Sequence, residues 1–180
     1  MKRHARGWIE SMDPERDENF ALNHVGLSVP NLDAALAWYQ EVLGFRPLTP
    51  PTEMRADDPG LGPALEAMLG KGVKAFRMAH LTMGNGVGLQ VFEFLEPRAE
   101  RYADGEAPWR GGFTHICVTA SDIEGLARKI EEHGGESSAV FRSSPGKPHA
   151  AAHCSDPWGN VIEINSHGYI ETRTFLGAED

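Results

Sequence analysis

The sequence predicts an α+β fold made of two βαβββ modules, each with a mixed sheet. A segment that begins near residue 21 recurs 91 positions later, so that His24 falls on His115. Both copies read as an apolar strand, a polar turn, an amphipathic helix and a glycine, and further strands follow each of them. Such self-similarity at a fixed distance is typical of a duplicated structural unit.

The helix of each module is predicted from apolar residues at helical spacing. These residues run over 32–43 in the first copy and over 123–130 in the second. Ser121 followed by Glu124 is a capping-box pattern and predicts the start of the second helix. A glycine follows each helix, at Gly44 in the first copy, and predicts the end of the helix because glycine tolerates positive φ.

Three strands are predicted after each helix. In the first module "FRPL" is a short strand, and "VKAFRMAHLTM" and "VGLQVFEF" form a hairpin around the turn sequence GNG. In the second module "SSAVFRSS", "PHAAAHCS" and "VIEINS" are the strands, and "DPWGN" is the turn before the last of them. Each module is therefore predicted as βαβββ.

These patterns divide the chain into five segments. We predict an N-terminal arm over 1–20, modules over 21–97 and 112–168, a connector over 98–111, and a C-terminal tail over 169–180. The stretch 51–72 is rich in proline and glycine and is predicted to be an insertion in the first module. It would either cover the mouth of a cavity or form a surface excursion, and the sequence favours neither.

Composition excludes several classes of protein. The 180 residues are 41% apolar and 24% charged, as in ordinary globular proteins, and the net charge of −9 argues against nucleic acid as a partner. No apolar run is long enough for a signal peptide or a membrane span. Two cysteines do not make a disulfide framework, so we predict a cytoplasmic protein whose partner is a small molecule.

Strand alternation predicts that four polar side chains share one side of the sheets. His24 and His115 lie in the first strands, opposite the apolar residues that would pack on the helices, and Glu93 and Glu163 lie in the last strands. With the insertion removed, both the histidine and the glutamate repeat in register. We therefore predict that all four line a cavity on the face that the helices do not cover.

Two imidazoles and two carboxylates suit a divalent Zn, Ni, Co, Fe or Mn ion. Four protein ligands would leave up to two octahedral positions open, as in a catalytic metal site. One histidine in a strand is usually a structural residue, and it is the repetition of the whole set that favours a metal. For His80, His149 and His153 the sequence leaves a place at the site and a place on the surface equally open.

Four stretches resemble the vicinal oxygen chelate superfamily, the family of glyoxalases, bleomycin resistance proteins and dioxygenases. They are "LNHVGLSVPNLDAALAWYQEVLGF", "LQVFEFLEP", "FTHICVTASDIEGLARKIEEHGG" and "DPWGNVIEI", and the resemblance spans about residues 21–168. It implies paired βαβββ modules whose curved mixed sheets form a U-shaped cavity around one divalent metal ion. The ligands implied are His24, Glu93, His115 and Glu163. The cavity would be assembled within one chain or across a homodimer.

The resemblance implies a glyoxalase-I-like lyase or isomerase that acts on a small substrate with vicinal oxygens through an enediolate-type intermediate. Glu163 is the first candidate for the general base and Glu93 the second. Two other functions remain open. An Fe(II) extradiol-type dioxygenase would need only His24, His115 and Glu163, and a ligand-sequestering resistance-type protein would bind without catalysis.

Overall fold

A computed structural model describes residues 21–99, 112–142 and 149–177. The predicted N-terminal arm and most of the predicted connector lie outside these residues. In chain order the elements are β1 (His24–Ser28), α1 (Leu32–Leu43), β2 (Arg46–Pro47), β3 (Thr52–Arg55), α2 (Gly62–Leu69), β4 (Ala75–Thr82), β5 (Gly88–Glu96), β6 (Ile116–Thr119), α3 (Ile123–Glu132), β7 (Glu136–Ser137), β8 (Phe141–Arg142), β9 (Ala150–Ser155), β10 (Val161–Asn165) and α4 (Tyr169–Gly177).

The two sheets have the same strand order, which confirms the duplication and the predicted α+β class. The first runs β1-β5-β4-β2 with β3 also on β4, and the second runs β6-β10-β9-β7 with β8 also on β9. β1 with β5 and β6 with β10 are parallel, and the other pairs are antiparallel. β2 and β3 pair with opposite ends of β4, as β7 and β8 do with β9, so each pair is one interrupted edge strand.

The segment 51–72 is only partly an insertion. β3 falls inside it, yet β3 has a counterpart in β8 of the second module. The residues without a described counterpart begin after Arg55 and carry α2, whose Leu65 is buried. The first module therefore differs from the second mainly by this short helix.

Both main helices begin on a side-chain cap at the same repeat position. The side chains of Asn31 and Asp122 each accept the backbone N–H three residues on, at 3.0 and 2.8 Å. The cap of α3 is thus Asp122 and not Ser121, the residue that the capping-box pattern indicated. Gly44 ends α1 in the left-handed region, with φ of 68°, as its sequence position predicted.

The predicted C-terminal tail contains a helix, α4. Its Thr172 is buried and donates its backbone N–H to the carbonyl of Gly168 at 2.9 Å. The guanidinium of Arg173 lies 5.2 Å from the centre of the Tyr169 ring. The predicted tail is therefore partly helical, and one of its side chains is buried. None of the described helices has the length and apolar character that crossing a membrane requires.

The helices lie between the two sheets. α1 packs on β2, β4 and β5, α3 packs on β7, β9 and β10, and the two helices contact each other within one continuous core. Tyr39 donates its hydroxyl to Asp156 at 2.9 Å, and the Trp38 indole N–H donates to the carbonyl of His133 at 3.0 Å. The layers are therefore sheet, helix, helix, sheet, and the face of each sheet turned away from its helix is an outer face.

Candidate metal centre

The second module brings His115 and Glu163 together on its outer face. β6 and β10 pair in parallel, with Cys117 opposite Glu163. His115, two residues before Cys117, therefore shares a face with Glu163, and alternation directs both of these side chains away from α3. His115 Nε2 lies 3.2 Å from Glu163 Oε2, and the side chains are 35% and 20% exposed. The predicted common face of these two residues is therefore observed, and the pair is open to solvent.

Each module orients its first-strand histidine through the preceding residue. His24 Nδ1 lies 2.7 Å from Asn23 Oδ1, and His115 Nδ1 lies 2.9 Å from Thr114 Oγ1. Because an amide oxygen only accepts, His24 Nδ1 carries the proton and Nε2 keeps its lone pair. His24, with its Nδ1–H held by a neighbour and a lone pair on Nε2, thus has the arrangement of a metal ligand, whereas His115 has its Nε2 beside Glu163 Oε2.

Glu93 lies on the face opposite to His24, so the prediction that they share a face was wrong. The register of β1 with β5, together with alternation, places Glu93 beside the buried Val91 on the helix side. Its Oε2 accepts the backbone N–H of Leu32 and an N–H of Arg77, both at 3.1 Å. The carboxylate caps the first turn of α1 and is directed away from the outer face.

Gln90, and not Glu93, occupies the position on the outer face of the first module where the second module has Glu163. The register sets Gly26 opposite Gln90 in the first module, just as it sets Cys117 opposite Glu163 in the second. Gln90 is thus the structural counterpart of Glu163, and its side chain projects from the outer face. The repeat was aligned three residues out of register in its last strand.

The hairpin turns carry the signal that could have found Gln90. Both turns contain a glycine with positive φ, Gly86 at 84° and Gly159 at 86°, and both are closed by equivalent backbone hydrogen bonds. Gln90 and Glu163 each stand four residues after that glycine. Counting from the turns, which set the register of a hairpin, aligns the two strands correctly.

Two further histidines repeat on these faces, one in the strand next to each candidate ligand. His80 is opposite Gln90 across β4 and β5, and His153 is opposite Glu163 across β9 and β10. His80 Nε2 lies 3.2 Å from Gln90 Nε2, and the ring centres of His153 and His115 are 5.9 Å apart. Each module therefore presents a histidine, a glutamine or glutamate, and a second histidine on three adjacent strands.

A cleft of about 430 Å³ opens over the first of these sets, and His24, His80 and Gln90 all line it. Leu48, which is 63% exposed, borders the same cleft. The second module has a cleft of about 400 Å³ at the corresponding end of its sheet, and His153 lines that one. The first outer face therefore has room for a ligand beside its histidines, whereas the cleft of the second module lies at the turn end of its sheet and is lined by neither His115 nor Glu163.

Cys117 lies on the outer face of the second module but is held as a thiol. Burial raises its pKa, a hydrogen bond from Asn165 opposes this, and the nearby Glu163 carboxylate raises the pKa further. Asn165 Nδ2 lies 3.0 Å from the sulfur. Because the thiolate is the form that binds metals, Cys117 is a poor ligand beside His115.

The donors fit a divalent metal ion, but they occur in two halves. Imidazole nitrogens and carboxylate or carboxamide oxygens suit the ions predicted from the sequence. Within the ranges that the structure describes, no three His, Cys, Asp or Glu side chains converge on one point. The layered fold explains this, because His24 and Gln90 lie on one outer face while His115 and Glu163 lie on the other.

The chain is similar to known proteins over most of its length. The Glyoxalase/Bleomycin resistance protein/Dioxygenase superfamily model matches residues 21–164. An ethylmalonyl-CoA/methylmalonyl-CoA epimerase of Cereibacter sphaeroides is 28% identical over 79% of this chain and 95% of its own. A 2-epi-5-epi-valiolone epimerase of an Actinomyces species is 23% identical over 80% of this chain and 78% of its own.

Solved structures show the same fold. A glyoxalase family protein from Bacillus cereus superposes with a TM-score of 0.67 at 16% identity, over 84% of this chain and 96% of its own. A mutant of the fosfomycin resistance protein FosX from Listeria monocytogenes, solved with Mn(II) and 1S,2S-dihydroxypropylphosphonic acid, gives 0.54 at 12% identity, over 87% and 99%. The chain belongs to the Glyoxalase/Bleomycin resistance protein/Dioxygenase superfamily.

Proposed function

We propose that this protein is a divalent-metal-dependent isomerase that moves a proton at the carbon next to a carbonyl group in a small substrate with neighbouring oxygens. The observation that carries the proposal is the His115–Glu163 pair, 3.2 Å apart on an open sheet face, with His24 and Gln90 at the equivalent positions. The sequence left lyase and isomerase open. Two relatives named as epimerases favour the isomerase.

His24, Gln90, His115 and Glu163 would hold the metal ion. Bound there, it would polarise the substrate carbonyl and stabilise the negative charge that develops on the oxygen. Zn, Ni, Co, Fe and Mn all accept these donors. The Mn(II) in the FosX structure supports testing manganese first.

Glu163 is the proposed general base, and its carboxylate would leave the metal as the substrate's oxygens bind. It is a carboxylate on an outer face, it is partly open to solvent, and it lies beside a histidine. A base must come within hydrogen-bond reach of the proton that it removes, and an open face allows a substrate to approach. Glu93, the second candidate from the sequence, is engaged with Arg77 and the first turn of α1, and it faces the core.

The complete site is proposed to form in a homodimer. The half-sites of one chain lie on opposite outer layers, so one chain cannot close both around a single ion. Leu22 and Phe113, each two residues before a first-strand histidine, are 68% and 99% exposed. Their exposure beside both half-sites supports a second copy packing there, with the first module of one chain facing the second module of its partner.

Metal content and proton exchange test the reaction. We expect about one metal ion per chain after purification without chelator. In D₂O the protein should introduce deuterium next to the carbonyl of methyl-branched acyl thioesters or polyhydroxy ketones. Glu163→Gln should slow the exchange strongly, whereas its matched control Glu93→Gln should not. Oxygen consumption with catechols and no exchange would favour the dioxygenase, and a metal-free wild type would favour the binding protein.

Mixing two inactive variants tests the composite site. His24→Ala and His115→Ala should each bind metal poorly when alone. Unfolded and refolded together, they would form mixed dimers in which one site carries both changes and the other carries neither. We therefore expect binding to recover to about one ion per four chains, the statistical value for random pairing of two subunits. No recovery would show that the site does not form between subunits.

A further inference from the structure

We propose that Thr49 and His80 orient the Gln90 side chain so that its carboxamide oxygen faces the metal site. This inference rests on the proposed function. A carboxylate presents two equivalent oxygens, but an amide presents one oxygen and one nitrogen that is not a ligand. An amide ligand therefore needs a neighbour that selects its oxygen, and such supporting contacts govern how well ligands bind.

The neighbours of the Gln90 amide nitrogen both act as hydrogen-bond acceptors. Gln90 Nε2 lies 3.2 Å from His80 Nε2 and 3.4 Å from the sulfur of Met78. A thioether sulfur has no hydrogen to donate, so it can only accept from the amide. With its two hydrogens directed to the ring and the sulfur, the amide turns its oxygen away from both, toward the open cleft that His24 also lines.

Thr49 supports the form of the His80 ring that this arrangement needs. Thr49 Oγ1 accepts the backbone N–H of His80 at 3.3 Å and lies 3.0 Å from Nδ1. A hydroxyl can donate or accept, and the Gln90 amide N–H beside Nε2 favours the form in which Nε2 carries the lone pair. In that form Nδ1 carries the proton and donates it to Thr49 Oγ1. The other tautomer would set an N–H against the amide N–H and turn the amide over. The Leu48 N–H to His80 carbonyl bond, 2.7 Å, holds the segment in place.

The second module supplies a hydroxyl in the same role from one position earlier on its edge strand, but it uses its histidine differently. Ser138 Oγ accepts the backbone N–H of His153 at 3.0 Å, as Thr49 does for His80. The His153 ring stacks on Phe141 and meets His115 edge-on. Glu163 in this module is a carboxylate, for which no choice between oxygen and nitrogen is required. The orienting contact therefore occurs in the module whose candidate ligand is an amide.

Calorimetric titration with Mn²⁺ tests the proposal on the full chain. Thr49→Val should weaken binding about tenfold, the lower end of the effect of removing a supporting contact. Thr49→Ser, which keeps the hydroxyl, should bind as the wild type does. Ser138→Ala is the matched control, because it removes the equivalent hydroxyl where no amide has to be oriented, and it should leave the affinity unchanged.

A double-mutant cycle separates orientation from general support of the fold. In a Gln90→Glu background either oxygen can bind, so Thr49→Val should no longer weaken Mn²⁺ binding. Equal weakening in both backgrounds, or none in the wild-type background, would overturn the inference. The proposed function fails separately, if the wild type binds no Mn²⁺ or if Gln90→Ala leaves its affinity unchanged.

Discussion

The two modules have the same backbone register and different chemistry on it. In the first, the position opposite Gly26 holds the neutral Gln90, whose neighbour His80 contacts its amide. In the second, the same position holds the charged Glu163, which contacts His115. The two modules therefore share these positions but differ in the side chains that occupy them. In the proposed site the first half would supply neutral donors and the second half the carboxylate that acts as base, so the proton should leave from the second module's side.

The largest expected effect comes from exchanging these two side chains. Glu163→Gln should lower the rate of proton exchange by about 10²–10⁴, the usual contribution of a general base. Gln90→Glu should keep both metal and exchange, because it adds a carboxylate and removes no oxygen donor. Deuterium incorporation followed by NMR, with metal content measured for each variant, checks both. Loss of exchange in Gln90→Glu with tolerance of Glu163→Gln would reverse the assignment of the two halves.

The next largest expected difference between the modules is in the free energy of unfolding, when a side chain in the turn before the last strand is removed. Asp156 is 2% exposed and accepts hydrogen bonds from Tyr39, Asn160 and two backbone amides, so Asp156→Ala should cost about 3 kcal/mol. In the matching turn, exposed Asn85 accepts one bond from Val87, and Asn85→Ala should cost less than about 1 kcal/mol. Urea unfolding measures both. Equal costs would contradict a role for Asp156 in joining the modules.

Local patterns were sufficient for the elements but not for their alignment. Alternation around His24 and His115 and helical spacing over 32–43 identified strands, helices and outer faces, because these periods depend only on neighbouring residues. Residue identity alone misplaces Glu93, because the hairpin turn and not the residue type sets the register of these strands. The sandwich of helices depends on contacts far apart in sequence, such as that of Tyr39 with a turn 117 residues away, which no local period encodes.

Substitution of Glu93 should have a smaller effect on stability, and Ser166 is its counterpart in the second module. Its carboxylate, 17% exposed, accepts from Arg77 and from the start of α1, so Glu93→Gln should lower the free energy of unfolding by about 1 kcal/mol. Mn²⁺ affinity should not change. The equivalent Ser166 accepts the backbone N–H of Ala150 and lies 2.6 Å from His167 Nδ1. Because Ser166 carries no charge and makes no ion pair like that of Glu93 with Arg77, Ser166→Ala should cost less. A fall in metal affinity in Glu93→Gln would restore it as a ligand candidate.

The smallest difference in stability between the modules at neutral pH is expected at a core position that is Leu81 in the first module and Cys154 in the second. Burial, and then the nearby Glu131, raise the pKa of the Cys154 thiol from 9.0 to about 11. The unfolded chain therefore loses this proton first as the pH rises, so the thiol's contribution to stability is complete below pH 9 and is lost between pH 9 and about 11.

Burial beside Asp156 also raises the pKa of Tyr39, which lowers stability further above pH 10. Unfolding free energies measured across this range should fall less steeply in Cys154→Ala than in the wild type, with Tyr39→Phe reporting the tyrosine's share. An identical slope in wild type and Cys154→Ala would show that the buried thiol does not distinguish the alkaline behaviour of the second module from that of the first.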